Sequence, residues 1–146
     1  MGKGTKYRFT VRGDPKAQPR VKAYKRGAHA GVYTPGSADY WKTLVVEAGR
    51  SVRPSEPISG PVRVDLWFYF KRPKRLCRKK DPACALPHTS KPDRDNLEKA
   101  VLDCLTQDGW WHDDAQVCEG GVRKLYHPKE GWPGLVAEIR SLQGNT

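Results

Sequence analysis

The chain has 146 residues, with 27 Lys and Arg against 16 Asp and Glu, and a formal net charge of +11. Its length favours a single domain, and the sequence shows neither an apolar run of 18 residues nor an apolar signal region near Met1. We therefore expect an intracellular, cytoplasmic protein without a membrane partner, whose charge favours binding to a polyanion.

The first part of the chain predicts a strand, a basic segment and a helix. Alternating apolar and polar residues predict a strand from Tyr7 to Arg12, ended by Gly13-Asp14-Pro15. The Pro- and Gly-containing segment from 16 to 36 indicates an ordered loop or ribbon. Its candidate polyanion-binding residues are Arg20, Lys22, Lys25 and Arg26. Apolar residues at helical spacing then predict a helix from about 37 to 50, capped by Ser37.

The clearest strand signal runs from 61 to 70, where Val62, Val64, Leu66, Phe68 and Phe70 share one face. It leads into KRPKRLCRKK, which has seven basic residues in ten. We interpret residues 71 to 90 as a long basic loop that tracks a phosphate backbone, although a merely solvated loop is the alternative. The candidate contacts are Lys71, Arg72, Lys74, Arg75, Arg78 and Lys79, with Lys124 further along the chain.

The second half predicts an amphipathic helix and two strands. Leu97, Ala100, Val101, Cys104 and Leu105 have helical spacing, and Gly109 ends the helix. A strand is expected from about 115 to 126, with a bulge at Gly120-Gly121, and a last strand follows a turn over 127 to 134. Together these elements predict an α/β (α+β) fold: one compact domain, a small mixed sheet of about four strands, two main helices, and flexible tails at 1–5 and 143–146.

Carboxylates concentrate in residues 91 to 117, which hold seven of the sixteen acidic residues and only three Lys or Arg. Asp93 and Asp95 stand at the start of the helix, and Asp113 and Asp114 stand at the start of the next strand. If these elements pack as neighbours, the carboxylates converge, and such a cluster is stable mainly around a divalent cation. Oxygen ligands favour Mg²⁺, for which Mn²⁺ substitutes, and Lys99 lies one turn after Asp95. A chain that binds a polyanion and also holds this metal is predicted to catalyse phosphodiester hydrolysis.

Each of these residues also has a structural interpretation. Asp93 or Asp95 can cap the helix, Lys99 can pair with Asp95 or Asp103, and Asp113-Asp114 can form a turn. The residues Cys77, Cys84 and His88 match no common zinc spacing, and the cysteines are expected to be reduced. Base stacking is a secondary possibility for four tryptophans, Trp41, Trp67, Trp110 and Trp111. Proton transfer is a secondary possibility for His88 and His112.

The order KPDRDNLEKAVLDCL, a short aromatic link and DDAQV resembles the RusA family of Holliday-junction resolvases. The segments QPRVKAYKRG and VYTPGSADYW resemble that family's basic segment and its entry to the first helix. The resemblance implies a compact α/β homodimer that binds four-way DNA junctions and nicks opposing strands. It implies that Asp93, Asp95 and Asp114 bind the metal, with Asp113 less favoured, and that Lys99 is catalytic. The alternatives are a non-catalytic binder of branched DNA, a nuclease for flaps or forks, and an RNA-binding protein.

Overall fold

A mixed sheet of six strands forms the body of the structure, a computed structural model that describes residues 4–33 and 35–143. The elements in chain order are β1 (Lys6–Arg12), β2 (Lys22–Arg26), β3 (His29–Tyr33), α1 (Asp39–Arg50), β4 (Val62–Phe70), β5 (Leu86–Pro87), α2 (Arg94–Gln107), β6 (Val117–Glu119), β7 (Val122–Tyr126) and β8 (Gly134–Ser141). The main sheet has the order β1-β8-β4-β7-β5, and β6 pairs with the beginning of β4.

The core lies between one face of this sheet and the two helices. The alternating residues of β4 that the sequence assigned to one face are buried from Val62 to Phe68, and the apolar face of α2 is buried from Leu97 to Leu105. Helix α1 packs on β1, and α2 packs on β7 and on α1. Burial of these apolar surfaces is the main stabilising contribution to the fold. The predicted α+β fold is therefore confirmed.

The sheet has six strands where about four were expected. The predicted strand over 115 to 126 is interrupted at Gly120-Gly121, which separates β6 from β7, and two-residue β5 adds an edge. Gly120 has φ of 127°, and a Cβ there would lie 1.6 Å from the Val64 carbonyl oxygen. Only glycine fits so close to the neighbouring backbone, so this position fixes the interruption of the strand.

The predicted cap of α1 needs correction, and most of the predicted tails lie outside the described residues. Helix α1 begins at Asp39 with Ala38 at the N-cap position and no side-chain cap, so the prediction of Ser37 as its cap is wrong. Of the predicted tails, residues 1–3 and 144–146 lie outside the described residues. Thr5 is already tied to the sheet, because its carbonyl accepts a hydrogen bond from Ser141 N at 3.1 Å.

The sheet face opposite the helices, the open face, places several of its cations next to carboxylates. Arg63 lies 2.8 Å from Asp65, and Lys6 lies 3.1 Å from Glu138. The Arg123 guanidinium lies 4.6 Å from the centre of the Trp67 ring. These carboxylates lower the net positive charge that the open face offers to a polyanion.

The segment predicted as an ordered loop or ribbon is a two-stranded antiparallel hairpin. Strands β2 and β3 pair with each other and form a sheet separate from the main one. All of their residues are exposed except Gly31, which is half-buried. The hairpin thus contributes little to the core. None of the helices in the described residues is long and apolar enough to cross a membrane.

Candidate active site

Three predicted site residues lie at the N-cap and in the first two turns of helix α2. Asp93 occupies the N-cap position with extended backbone angles (φ −72°, ψ 150°), but its side chain makes no cap hydrogen bond. Asp95 lies in the first turn and Lys99 one turn later, and all three side chains are exposed. Among residues 4–33 and 35–143, none of the three forms an ion pair within 4.0 Å. Asp103, further along α2, forms an ion pair with Lys42 at 3.0 Å.

The structural interpretations of these residues therefore fail in two cases. Asp93 does not cap the helix through its side chain. Among the described residues Lys99 pairs with neither Asp95 nor Asp103, and Asp103 is bound by Lys42. Negative charge at a helix N-terminus is itself stabilising by a few tenths of a kcal/mol. That contribution requires no particular side-chain geometry, so the two carboxylates remain free to bind a ligand.

The start of α2 is held at the carboxyl end of β4. The Asn96 carbonyl accepts a hydrogen bond from Gln18 N at 2.9 Å, and Pro92 lines a pocket together with Phe70 and Tyr126. Lys124 Nζ donates to the Ser90 carbonyl just before the helix. Lys124, a predicted DNA contact, thus fixes the approach to α2 in this structure.

Asp113 and Asp114 have different roles in the link that follows α2. Asp113 caps the short 3-10 helix Asp114–Gln116, because its Oδ1 accepts from Ala115 N at 2.8 Å. The Gln116 side chain accepts from Asp113 N and donates to the carbonyls of Ile58 and Gly60, both at 2.9 Å. Asp114 is exposed and stands outside this network. Of the two carboxylates, only that of Asp113 is engaged in this turn.

Gln116 is a positioning residue that the sequence reasoning missed. A carboxylate followed three residues later by Gln is the pattern of a capping box, and Asp113 with Gln116 shows it here. Because the Gln116 amide also bonds the 58–60 segment, it ties the Asp114 turn to the amino end of β4, where Val117 pairs with Val62.

Two tryptophans fasten the same link to the core. Trp110 and Trp111 are 0% and 1% exposed. Trp110 N donates to the Leu105 carbonyl at 3.1 Å, and Trp111 Nε1 donates to Thr106 Oγ1 at 2.6 Å. Base stacking by these residues is excluded by burial, and the same holds for Trp41 at 2% exposure. The fourth candidate, Trp67, lies under the Arg123 guanidinium on the open face.

The structure does not bring Asp114 together with the carboxylates of α2. Pro92, just before α2, lies beside Phe70 at the end of β4, whereas the Asp114 turn lies beside its beginning. Nine residues of strand span about 26 Å. Consistently, no group of three or more His, Cys, Asp or Glu side chains within residues 4–33 and 35–143 is arranged to hold a metal ion. The predicted convergence is thus not found within one chain.

His88 is buried next to the start of α2 and has no polar partner for its Nδ1 among the described residues. Its ring stacks on Phe70 with 4.1 Å between centroids and meets the edge of Tyr126 at 4.8 Å. Burial, and to a lesser extent the charge of Lys124, lower the pKa of His88 below 6.5. His112, in contrast, is exposed, and its backbone N donates to Gln116 Oε1.

His88 predicts a loss of stability in mild acid. In the window between the lowered pKa of folded His88 and 6.5, the unfolded chain binds a proton that the folded chain resists, so the free energy of unfolding decreases as the pH falls. His88→Phe keeps the stack on Phe70 and removes this contribution. The decrease in melting temperature from about pH 7.5 to about pH 5 should therefore be smaller for the variant than for the wild type. Equal decreases would contradict the assignment.

The basic loop, residues 71 to 90, is held by its own side chains. Arg72 is 4% exposed, and its guanidinium donates to the carbonyls of Leu76, Pro82 and Cys84. The prediction of Arg72 as a DNA contact is therefore corrected, because its buried guanidinium organises the loop. Lys129 Nζ closes the same loop from outside by donating to the Arg78 and Asp81 carbonyls.

Arg78 is also engaged within the loop. Its guanidinium lies 3.2 Å from Asp81, and this hydrogen bond lowers the pKa of the Asp81 carboxyl. A paired guanidinium offers less net charge to phosphate than a free one. The remaining predicted contacts are exposed and lie in the basic loop or in the hairpin region: Lys71, Lys74, Arg75 and Lys79, and Arg20, Lys22, Lys25 and Arg26.

Comparison with known proteins identifies relatives over most of the chain. A family model described as endodeoxyribonuclease RusA matches residues 12–140. The uncharacterised protein YqaN of Bacillus subtilis is 33% identical over 137 residues, covering 90% of this chain and 96% of YqaN. The crossover junction endodeoxyribonuclease RusA of Escherichia coli K12 and that of Enterobacteria phage 82 are each 46% identical over 48 residues. Those two matches cover 33% of this chain and 40% of each relative.

Proposed function

This chain belongs to the RusA family of endodeoxyribonucleases, and from that membership we propose that it is a metal-dependent endodeoxyribonuclease that resolves four-way DNA junctions by paired nicks. The observation that carries the proposal is the group of exposed side chains at the start of α2. Asp93, Asp95 and Lys99 lie free of ion pairs among the described residues, on a chain of net charge +11. In this proposal the cations bind the phosphate backbone. The carboxylates bind the metal, which explains why acidic residues concentrate in one part of a basic chain.

The donor set fits a hard divalent cation. Asp93, Asp95 and Asp114 offer only carboxylate oxygens, which suit Mg²⁺ or Mn²⁺ better than zinc. All three are exposed, so their side chains can reorient around an ion without disturbing the core. When bound, the ion supplies an activated water and neutralises charge that develops on the phosphodiester. Lys99, one turn from Asp95, is placed to donate to a phosphate oxygen or to orient the attacking water.

The separation of the carboxylates favours a homodimer in which each site is shared. Asp93 and Asp95 lie towards one end of β4 and Asp114 towards the other, so one chain alone does not complete the donor set. A two-fold interface that brings the start of α2 against the partner's Asp114 would complete two equivalent sites at once. Two such sites also match a junction of approximate two-fold symmetry, which needs two opposing nicks.

Cleavage of a labelled four-way junction tests the proposal. The wild type should release paired, symmetric nicks in Mg²⁺ and none in EDTA, with linear duplex and flap substrates as controls. Preferred cleavage of flaps or forks would indicate a different branched-DNA nuclease. Junction binding without cutting in Mg²⁺ or Mn²⁺ would contradict an enzymatic role, and stronger competition by duplex RNA would contradict DNA as the ligand.

The basic loop predicts a change in the salt dependence of binding. Replacing Lys74, Arg75 and Lys79 together by Gln should weaken junction binding and lower the slope of log affinity against log salt by up to about 0.9 per lost phosphate contact. A matched control is the triple replacement of Lys6, Arg8 and Arg63, which removes the same charge from the open face. The three control cations pair with Glu138, Asp65 or Glu119.

Binding of the two triple variants to a junction is measured at several salt concentrations by fluorescence anisotropy. A reduced slope for the loop variant alone would place phosphate on the basic loop. If the control variant lowers the slope by the same amount, or the loop variant leaves it unchanged, the basic loop is only a solvated surface.

A further inference from the structure

The β2–β3 hairpin places two tyrosines and two cations on one face. In an antiparallel pair, residues directly opposite one another project to the same side. The register pairs Lys22 with Tyr33, Tyr24 with Gly31, and Arg26 with His29, so these six residues share a face. The other face carries the smaller residues Ala23 and Ala30, with Lys25 and Val32.

Gly31 allows the Tyr24 ring to lie flat across the ribbon. A Cβ at Gly31 would lie 2.7 Å from Tyr24 Oη and 2.8 Å from two ring carbons, so any other residue would displace the ring. Tyr33 stands next to it, with 6.3 Å between ring centroids and an interplanar angle of 56°. With one side of Tyr24 resting on the glycine backbone, its other side is free to receive a flat ligand.

The aromatic face is open to solvent and concave. Tyr24 and Tyr33 are 45% and 50% exposed, and with Arg26 and His29 they line a cleft of about 630 Å³. Tyrosines that contribute to a core are normally buried, whereas this hairpin belongs to no core. Aromatic surface displayed in this way indicates a binding site.

Charge identifies the partner. From residue 15 to residue 38 the chain contains no Asp or Glu, while it contains five Lys and Arg. An acidic partner with flat apolar surfaces satisfies both the cations and the rings, and a nucleic-acid strand offers phosphates and base faces together. Within a paired duplex each base face is covered by its neighbours. A base face becomes available where strands part.

The hairpin is rooted at the candidate active site. Gln18, four residues before β2, donates to the carbonyl of Asn96 in the first turn of α2. On the other side of the hairpin, Ser37 lines the same pocket as Pro92, which directly precedes Asp93. A base held on the hairpin would therefore belong to the same branch point whose phosphodiester lies near Asp95.

We propose that the face formed by Tyr24 and Tyr33 is a stacking platform for an unstacked DNA base at the branch point, with Lys22 and Arg26 on the flanking phosphates. The inference rests on the proposed function for its substrate and adds how the branch is recognised. Selectivity for a junction over linear duplex then comes from the exposed base, because linear duplex satisfies the cations but leaves the rings without a partner.

Fluorescence of 2-aminopurine tests this platform. The probe base is placed at the branch point of a four-way junction or, as a control, inside one paired arm, and binding is measured in EDTA. The wild type should change the emission at the branch point only. The double variant Tyr24→Ala, Tyr33→Ala should lose this change and bind the junction about ten- to a hundred-fold more weakly, with linear duplex binding unaltered.

Two further variants separate stacking from other effects. Tyr24→Phe with Tyr33→Phe keeps the rings and should behave as the wild type, which excludes a role of the hydroxyl groups. Tyr40→Ala removes another exposed tyrosine, 76% exposed on α1, and should leave the signal unchanged. Unfolding temperatures of all variants should agree, since the hairpin residues lie outside the core.

The outcomes distinguish the two proposals. If the wild type cuts the junction in Mg²⁺ but the alanine variant keeps its emission change and junction preference, the platform is contradicted and the nuclease proposal stands. A platform response confined to 2-aminopurine in single-stranded RNA would likewise contradict it. If the wild type does not cut but shows the branch-point response, the platform is supported and the nuclease proposal fails.

Discussion

Replacing Asp95 by Asn should reduce junction cleavage by at least about a hundred-fold while leaving junction affinity nearly unchanged. Asn retains the size of Asp but loses the charge that a divalent cation requires. Asp95 is exposed and lies in the first turn of α2, so the free energy of unfolding should change by less than about 0.5 kcal/mol. Single-turnover cleavage, anisotropy and chemical denaturation measure the three quantities.

Asp103→Asn is the matched control for this loss. Asp103 lies on the same helix and pairs with Lys42 at 3.0 Å, so its replacement removes a carboxylate of structural use only. Cleavage by this variant should stay within a few-fold of the wild type. A cleavage rate near the parent's for Asp95→Asn, or equal losses for both variants, would remove Asp95 from the proposed metal site.

Mixing two inactive variants should restore cleavage if each site is shared between subunits. A heterodimer of Asp95→Asn and Asp114→Asn chains contains one doubly altered site and one site in which both carboxylates are intact. Random mixing of equal amounts makes about half of the dimers heterodimers, so about a quarter of the sites regain activity. Each restored dimer has one working site and should make single nicks rather than paired ones.

The same mixture gives the opposite result for a site built within one chain. Both sites of the heterodimer would then lack one carboxylate, and the mixture would be as inactive as its components. Refolding the chains together from denaturant ensures exchange, and a tagged copy of one variant reports the heterodimer fraction. Wild-type chains carried through the same refolding provide the reference for full activity.

The sequence predicted the elements whose side chains alternate or repeat cleanly. Phe9 and Val11 in β1, the even-numbered residues of β4, and the buried stripe of α2 are as expected, because solvent exclusion imposes periods of 2 and 3.6 residues. The sequence predicted only an ordered loop or ribbon where the hairpin lies. Its short strands are exposed, so they lack the alternation of apolar and polar residues that a buried face produces.

Tertiary contacts decided what the sequence left open at the site. Residue type alone does not distinguish Asp113 from Asp114; the resemblance favours Asp114, and the capping hydrogen bonds show that the Asp113 carboxylate is engaged in the turn. Arg72 reads like its basic neighbours, but three backbone carbonyls bury it inside the loop. The proposed metal and catalytic roles of Asp93, Asp95, Lys99 and Asp114 stay predictions, and the separation along β4 adds the second subunit to them.

The paired charges of the open face have a kinetic consequence. Arg63 and Lys6 have neighbouring carboxylates, whereas the exposed cations of the hairpin and most of those of the basic loop form no ion pair among the described residues, so positive charge is unevenly distributed over the surface. A polyelectrolyte attracts such a body with a torque as well as a force, within about one Debye length. Encounters are then oriented before any contact forms, so the association rate constant should be high in dilute buffer and fall steeply as ions are added.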